Sequence, residues 1–251
     1  MSFCVGVDGC KGGWIAVWRG QGLQTVMQVY SNFSELADAF PSDAIIAVDI
    51  PIGLPDRILG SGRVAEQAAR KKLPGKASSV FSVPSREAIE MGFLHWESYQ
   101  SRKIAYDEAY RQTKEVARET SEPPKSLSRQ AFGILPKIAE VDRWLQAHKE
   151  SSDRVCESHP EVAFAMLNNG KPMAFSKRRP DGVDERSELL ASMGFDLAFL
   201  RKAAPSGASV DDFLDACVML LVAERVSAKS AERHPEPPDR DRFGFLIAIH
   251  A

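Results

Sequence analysis

The sequence predicts an α/β protein built on a mixed sheet, with three antiparallel strands at the N-terminus, parallel strands after them, and a helical insertion. Three observations predict it. Residues 3–18 (FCVGVDGCKGGWIAVW) read as a strand, a tight turn at Gly12 and Gly13, and a second strand. Residues 44–50 (AIIAVDI) form a continuous apolar run, which suits a central strand covered on both faces. Between about 56 and 150 the charge rises, strand signals thin out and helical periodicity takes over.

The chain has 251 residues, 44% hydrophobic and 26% charged, enough for a sizeable core. We read it as one domain over 1–251 that carries the insertion, rather than as two domains. The formal net charge is −2, so no global basic field advertises a nucleic-acid partner. Two basic clusters stand out, Arg70, Lys71, Lys72 and Lys76, then Lys171, Lys177, Arg178 and Arg179, and such clusters are more often solvated faces than phosphate sites. The cysteines Cys4, Cys10, Cys156 and Cys217 form no CxxC pair, which argues against a structural zinc site. The first strand starts almost at once and no apolar run reaches bilayer length, so neither a signal peptide nor a membrane partner is expected. A reducing cytoplasm is the simplest setting.

In order, a third strand is predicted over 23–30 after a turn at Gly20 and Gly22, then a helix opened by Asn32 or Ser34 and closed by Pro41. After the 44–50 strand, the Pro51-to-Pro55 segment stops the chain sharply. The insertion is predicted to hold a helix over 63–72, a loop over 77–86, one long polar helix over 95–119, a break at 121–128 and a helix over 130–148. A short strand over 153–157 leads through His159 and Pro160 into a helix over 162–168. A basic loop over 171–182 and helices over 184–193 and 195–202 follow. Residues 209–230 give the clearest helix, with Ser209 and Asp212 as a capping-box variant. Pro235, Pro237 and Pro238 are expected to end that region, and 243–249 to form a last strand with no assigned place in the sheet.

Acids recur at the ends of these elements. Asp8, Asp49 and Glu157 each close a strand expected to be buried, where a carboxylate is costly unless a cation or several donors meet it. Asp212 and Asp215, three apart, share a face in the first turns of one helix. Each has an ordinary alternative: Asp8 and Asp49 as turn formers, Glu157 paired with a nearby Arg or Lys, Asp211 and Asp212 as caps, His159 as a loop hydrogen-bonder instead of a ligand or general base. If Asp8, Asp49, Glu157 and Asp215 converge at one sheet edge, their repulsion calls for a divalent cation, and oxygen donors of this kind suit Mg²⁺ or Mn²⁺. Two such ions, roughly 3.5–4 Å apart, would activate water for an in-line phosphoryl displacement.

The segments VGVDGCKGGWIAV (5–17), AVDIPIGLP (47–55), SSVFSVPSR (78–86), ESHPEVAF (157–164) and DDFLDA (211–216) resemble the family of predicted RNase H-like nucleases, known mainly as a domain of unknown function. The resemblance covers nearly the whole chain and extends to Lys137 in PKIAEVD (136–142) and to Arg186. DDFLDA also looks like the terminal helix of Holliday-junction resolvases, in which two acids three apart bind metal, and the matching pair is Asp212 and Asp215. The element order fits the same fold, so the resemblance implies an RNase H-like mixed sheet. The family's nuclease activity is itself inferred from fold.

Three functions follow as expectations. The first is a metal-dependent nuclease, with Asp8, Asp49, Glu157 and Asp215 as catalytic metal ligands and Asp212 as a further ligand. Lys11, Arg86, Lys137, Lys177 and Arg186 would hold phosphate. A net charge of −2 fits a nucleotide-sized or small phosphate ester better than a tightly held duplex. The second is nucleotide binding or phosphotransfer, because the DGCKGGW turn resembles the phosphate-binding hairpin of actin-like ATPases and sugar kinases. Those use two copies of the fold, which here would require a homodimer. The third is a non-catalytic binding protein, against which stands the presence of every acid.

Overall fold

A computed structural model describes residues 2–20 and 24–251. It is an α/β protein whose main sheet has five strands: β1 (Cys4–Cys10), β2 (Gly13–Arg19), β3 (Thr25–Tyr30), β4 (Ile45–Val48) and β7 (Val155–Glu157). Their order is β3-β2-β1-β4-β7. The three N-terminal strands pair antiparallel, while β4 and β7 continue the sheet parallel to β1. Of the predicted third strand, Gly22 and Leu23 lie outside the described residues. Helix α1 (Phe33–Asp38) starts where Asn32 accepts a hydrogen bond from the Glu35 amide.

Alternation along the strands separates two layers. Val5, Val7, Trp14, Ala16 and Val48 face a core completed by α1 and α5 (Arg129–Ala147), into which Phe132, Leu135, Ile138 and Val141 point. The opposite face meets α9 (Val210–Ser227), with Ile15, Val17 and Ala47 against Phe213, Ala216, Cys217 and Leu220. Gly6 makes this second contact possible. A Cβ there would lie 2.0 Å from the Leu220 amide nitrogen and 2.2 Å from the Ala216 carbonyl, so α9 rests on bare backbone. Helix α9 begins with the predicted capping box, in which Ser209 and Asp212 satisfy each other's backbone amides.

Within the insertion, α5 supplies much of the first core. The insertion also contains β5 (Ile58–Leu59), α2 (Val64–Lys71), α3 (Arg86–Gln100), α4 (Tyr106–Glu119) and β6 (Ser121–Glu122), with β5 and β6 paired as a small second sheet. The single helix predicted over 95–119 is two helices. Arg102 takes a left-handed backbone (φ 58°), which ends the first, and Ser85 caps its other end by accepting from the Ala88 amide.

Beyond β7 come α6 (Pro160–Leu167), α7 (Pro180–Ser192) and α8 (Leu197–Leu200). The proline-rich segment expected only to end the helical region before it forms strand β8 (Arg233–Arg240), paired antiparallel with β9 (Leu246–His250) through an irregular register. Proline donates nothing to a ladder and is tolerated at such an edge. His250 bridges to Ser158, which places this hairpin beside the end of β7. No helix among the described residues is long and apolar enough to cross a membrane, and all four cysteines are free.

Candidate functional site

The parallel ladder decides which acids meet. Val7 pairs with Val48, and Val48 pairs with Glu157. The Asp49 amide donates to the Val7 carbonyl at 3.0 Å and the Ser158 amide to the Val48 carbonyl at 2.9 Å, so the ladder continues one residue further. Asp8 and Asp49 therefore lie in the phase of Gly6 and Ala47, on the α9 side. In that phase lie Cys156 of β7 and, just beyond the strand, Ser158. Glu157 is one residue out of phase and faces the other layer.

There Glu157 is buried in an ion pair. Arg63 donates to it through Nη2 (2.6 Å to Oε1) and Nη1 (3.0 Å to Oε2), and the Ile52 amide adds a bond of 2.7 Å. Arg63 also holds Glu66 (2.5 Å) and the carbonyls of Ile52 and Gly53. Burial pushes the Glu157 carboxyl up to about 7 against the lowering effect of Arg63. The ion-pair alternative for this residue matches its surroundings: Arg63 and Glu66 are the charges that act on it, and Asp8, Asp49 and Asp215 are not among them.

The acid that does reach the α9 side from this region is Glu161, in the first turn of α6. Sequence reasoning passed over it because it follows the strand instead of closing it. The signal available was Pro160 at the start of the helix, which fixes Glu161 one turn beyond Ser158. Arg186 of α7 positions Glu161 at 2.5 Å, and also donates to the carbonyls of Gly182 and Phe175. Arg186 is thus buried on protein partners, not displayed for phosphate.

The charges of Asp8, Asp49, Asp215 and Glu161 bear on one another unequally: Asp49 and Asp215 act on Asp8, and Glu161 acts on Asp49 and Asp215. Burial, then the charges of Asp49 and Asp215, hold the Asp8 carboxyl well above the usual carboxylate range. Asp49 is pushed up to about 7 by burial, with Lys177 pulling it down and Glu161 pushing it up. Asp215 is pushed up to about 7 by burial, with Lys177 lowering it and Asp49 and Glu161 raising it. Asp215 is fully enclosed on α9. Asp212, one turn earlier, keeps its Oδ2 on the Ser209 amide and adds to the charge felt by Asp8.

One side chain now neutralises this set. Lys177, from the basic loop before α7, donates its ammonium to Asp215 Oδ2 and lies 3.9 Å from Asp211. Burial opposes its charge, but Asp215, Asp8 and Asp49 outweigh burial and raise its basicity. Asp215 Oδ1 and Glu161 Oε2 are buried without a hydrogen-bond partner, as is His159 Nδ1 next to them. Oxygen donors with unfilled valence suit a hard divalent cation. Among the described residues, no three acidic, His or Cys side chains are arranged to hold an ion.

The remaining candidates divide. Lys11 is exposed in the β1–β2 turn and lines the same cleft as Asp8, Asp49 and Asp212. Lys137 also lines it, but its ammonium bonds the Gly13 carbonyl and lies 4.4 Å above the Trp14 ring. Arg86 does not reach the site. It is buried between Asp142 and Asp241, so its expected phosphate role gives way to a structural one.

Neither a curated protein nor a solved structure matches the chain. The family described as "Protein of unknown function (DUF429)" matches over residues 6–240, and the chain belongs to that family.

Proposed function

We propose that the protein is a metal-dependent phosphodiesterase of RNase H-like fold, acting as a nuclease. The observation that carries this reading is the meeting of Asp8, Asp49, Glu161 and Asp215 on the α9 side of the strand ends, with buried oxygens of Asp215 and Glu161 left unpartnered. The strand sequence of three antiparallel members followed by parallel ones, with an acidic terminal helix against the first strand, supports the fold assignment. Mg²⁺ or Mn²⁺ would be held by Asp8, Asp49 and Asp215, with Glu161 taking the place first expected of Glu157 and Asp212 at the edge. A bound ion of this class lowers the pKa of water and stabilises charge on a phosphoryl group. The chain's own residues would orient the ester through Lys11, exclude water beneath α9, and supply Lys177 as a cation that passes from Asp215 to substrate phosphate.

Calorimetric titration of Mn²⁺ into the wild type and the Asp8→Asn/Asp49→Asn double variant tests the proposal. Binding to the wild type that is lost in the variant supports it, and should accompany Mn²⁺-dependent cleavage of single-stranded, duplex or branched substrates. No binding to the wild type, alone or with a nucleotide present, would overturn it.

A further inference from the structure

A cleft of about 300 Å³ opens above the strand ends. Asp8, Asp49 and Asp212 form its floor, and α5 forms one wall through Gln130, Gly133, Ile134 and Lys137. These four stand at i, i+3, i+4 and i+7, a single helix face. Gly133 is the informative member. Glycine inside a helix is unfavourable relative to alanine, and a packing need normally explains it. Gly92 of α3 illustrates such a need, since a Cβ there would lie 2.4 Å from Leu135 Cδ1. At Gly133 a Cβ would meet nothing within 4 Å. No protein group requires the space, and the space belongs to the cleft.

We propose that this cleft binds a phosphodiester of mono- to dinucleotide size, laid along the α5 face and passing over Gly133, with its phosphate between Lys11 and the acidic floor. The proposal rests on the phosphodiesterase reading of the acids and names the substrate class. Volume is the first argument, because about 300 Å³ lies at the small end of ligand pockets. Charge is the second. A long nucleic acid needs a track of cations, and among the described residues the cations lining the cleft are Lys11 and Lys137, the latter already committed to Gly13 and Trp14, while Lys177 is held on Asp215. The third is that no aromatic ring among the described residues lines the cleft, where single-strand binders present stacking platforms. Gln130 offers both a donor and an acceptor to a base edge or sugar, and Ile134 an apolar contact.

The test is calorimetry with a phosphorothioate thymidine dinucleotide and a 20-nucleotide strand of the same chemistry, each with and without Mn²⁺. The dinucleotide should bind, and the long strand should gain less than about threefold per available register. Lys11→Ala and Gly133→Phe should each weaken binding by at least about fivefold, and Gly133→Ala by less than Gly133→Phe. Since an added Cβ enters open space, Gly133→Ala should melt no lower than the wild type, and Gly133→Phe is compared at a temperature where its unfolding curve shows it folded. A tenfold gain per register, no dinucleotide binding, or undiminished binding by folded Gly133→Phe would overturn the proposal. The two readings fail separately. Dinucleotide binding to a protein that takes up no Mn²⁺ keeps the cleft and removes the hydrolase, whereas Mn²⁺ uptake without dinucleotide binding does the reverse.

Discussion

A carboxyl buried beside other carboxyls holds its proton at a pH where an exposed one has lost it. Asp49 and Asp215 are both held at about 7, against 3.8 for an ordinary aspartate. Between those values the native protein binds more protons than the unfolded chain, so these groups make stability fall as pH rises through the window, and the loss is complete above about 7. The buried histidines act in the opposite sense, since burial lowers His159 from 6.5 and acid then disfavours the fold. The difference between variant and wild type isolates the aspartates. Without metal, the melting temperature of Asp49→Asn should gain on that of the wild type from about pH 5 to about pH 8, and a difference independent of pH would contradict the assignment. Metal binding requires the same groups deprotonated, so Mn²⁺ affinity should climb over the upper part of that range. Lys177 governs the balance at neutral pH. Replacing it by Met removes the only cation on Asp215 among the described residues. Lys177→Met should therefore lower the melting temperature of the metal-free protein and enlarge the rise that Mn²⁺ produces. An unchanged response to Mn²⁺ would show that Lys177 and the ion do not compete.

At the scale of elements, register separates the acids that meet from those that do not. Glu157 and Glu161 lie four residues apart, yet they belong to different layers of the protein. Glu157→Gln takes from Arg63 one of its two buried carboxylate partners, leaving Glu66, and the cost should lie toward the lower end of the about 3–5 kcal/mol for breaking a buried pair. Mn²⁺ affinity should be unaffected in whatever protein remains folded. Glu161→Gln takes a carboxylate partner from buried Arg186 and should also cost stability, but unlike Glu157→Gln it should weaken Mn²⁺ binding at least about tenfold in the folded protein. Calorimetry and urea unfolding of the pair check both directions. The strand ends that carry Asp8 and Asp49 were legible in the sequence, since alternation, apolar runs and turn glycines are local signals. The acidic face of α9 was legible for the same reason, as Ser209 and Asp212 form their box within one turn. The register of β7 on β4 was not, because it depends on segments more than a hundred residues apart, and a slip of one residue exchanges the faces. Gly6 shows the same limit. Its spacing reads as strand, but only the assembled layers reveal the α9 backbone upon it. Gly6→Ala should lift α9 off β1 and cost more than the usual 1–3 kcal/mol for overpacking, since backbone, not a side chain, meets the new methyl.

Across the whole molecule, Arg86 joins what the chain order separates. Its amide donates to the Pro55 carbonyl, and its guanidinium spans Asp142 of α5 and Asp241 of the β8–β9 turn. Asp241 in turn accepts from the amides of Leu54 (3.0 Å), Phe243 (2.9 Å) and Phe245 (3.0 Å). The entry to the insertion, the helix that covers the sheet and the C-terminal hairpin thus converge on one enclosed cation, with the Phe243 ring 4.5 Å from it. In the sequence, Arg86 follows a loop and resembles an anion binder, because its partners lie 56 and 155 residues away. Its burial makes the distinction testable. Removing the guanidinium in Arg86→Met strands two buried carboxylates, and the cost should reach about 3–5 kcal/mol. The triple replacement of Arg86, Asp142 and Asp241 by apolar residues of similar volume should recover part of that loss, because no unpaired charge then remains inside. A phosphate-binding arginine would give the opposite pattern, with near-normal unfolding in urea and weakened binding of a dinucleotide. Unfolding curves and dinucleotide affinities of the two variants, compared at a temperature where both stay folded, decide between a joint of the fold and a residue of the site.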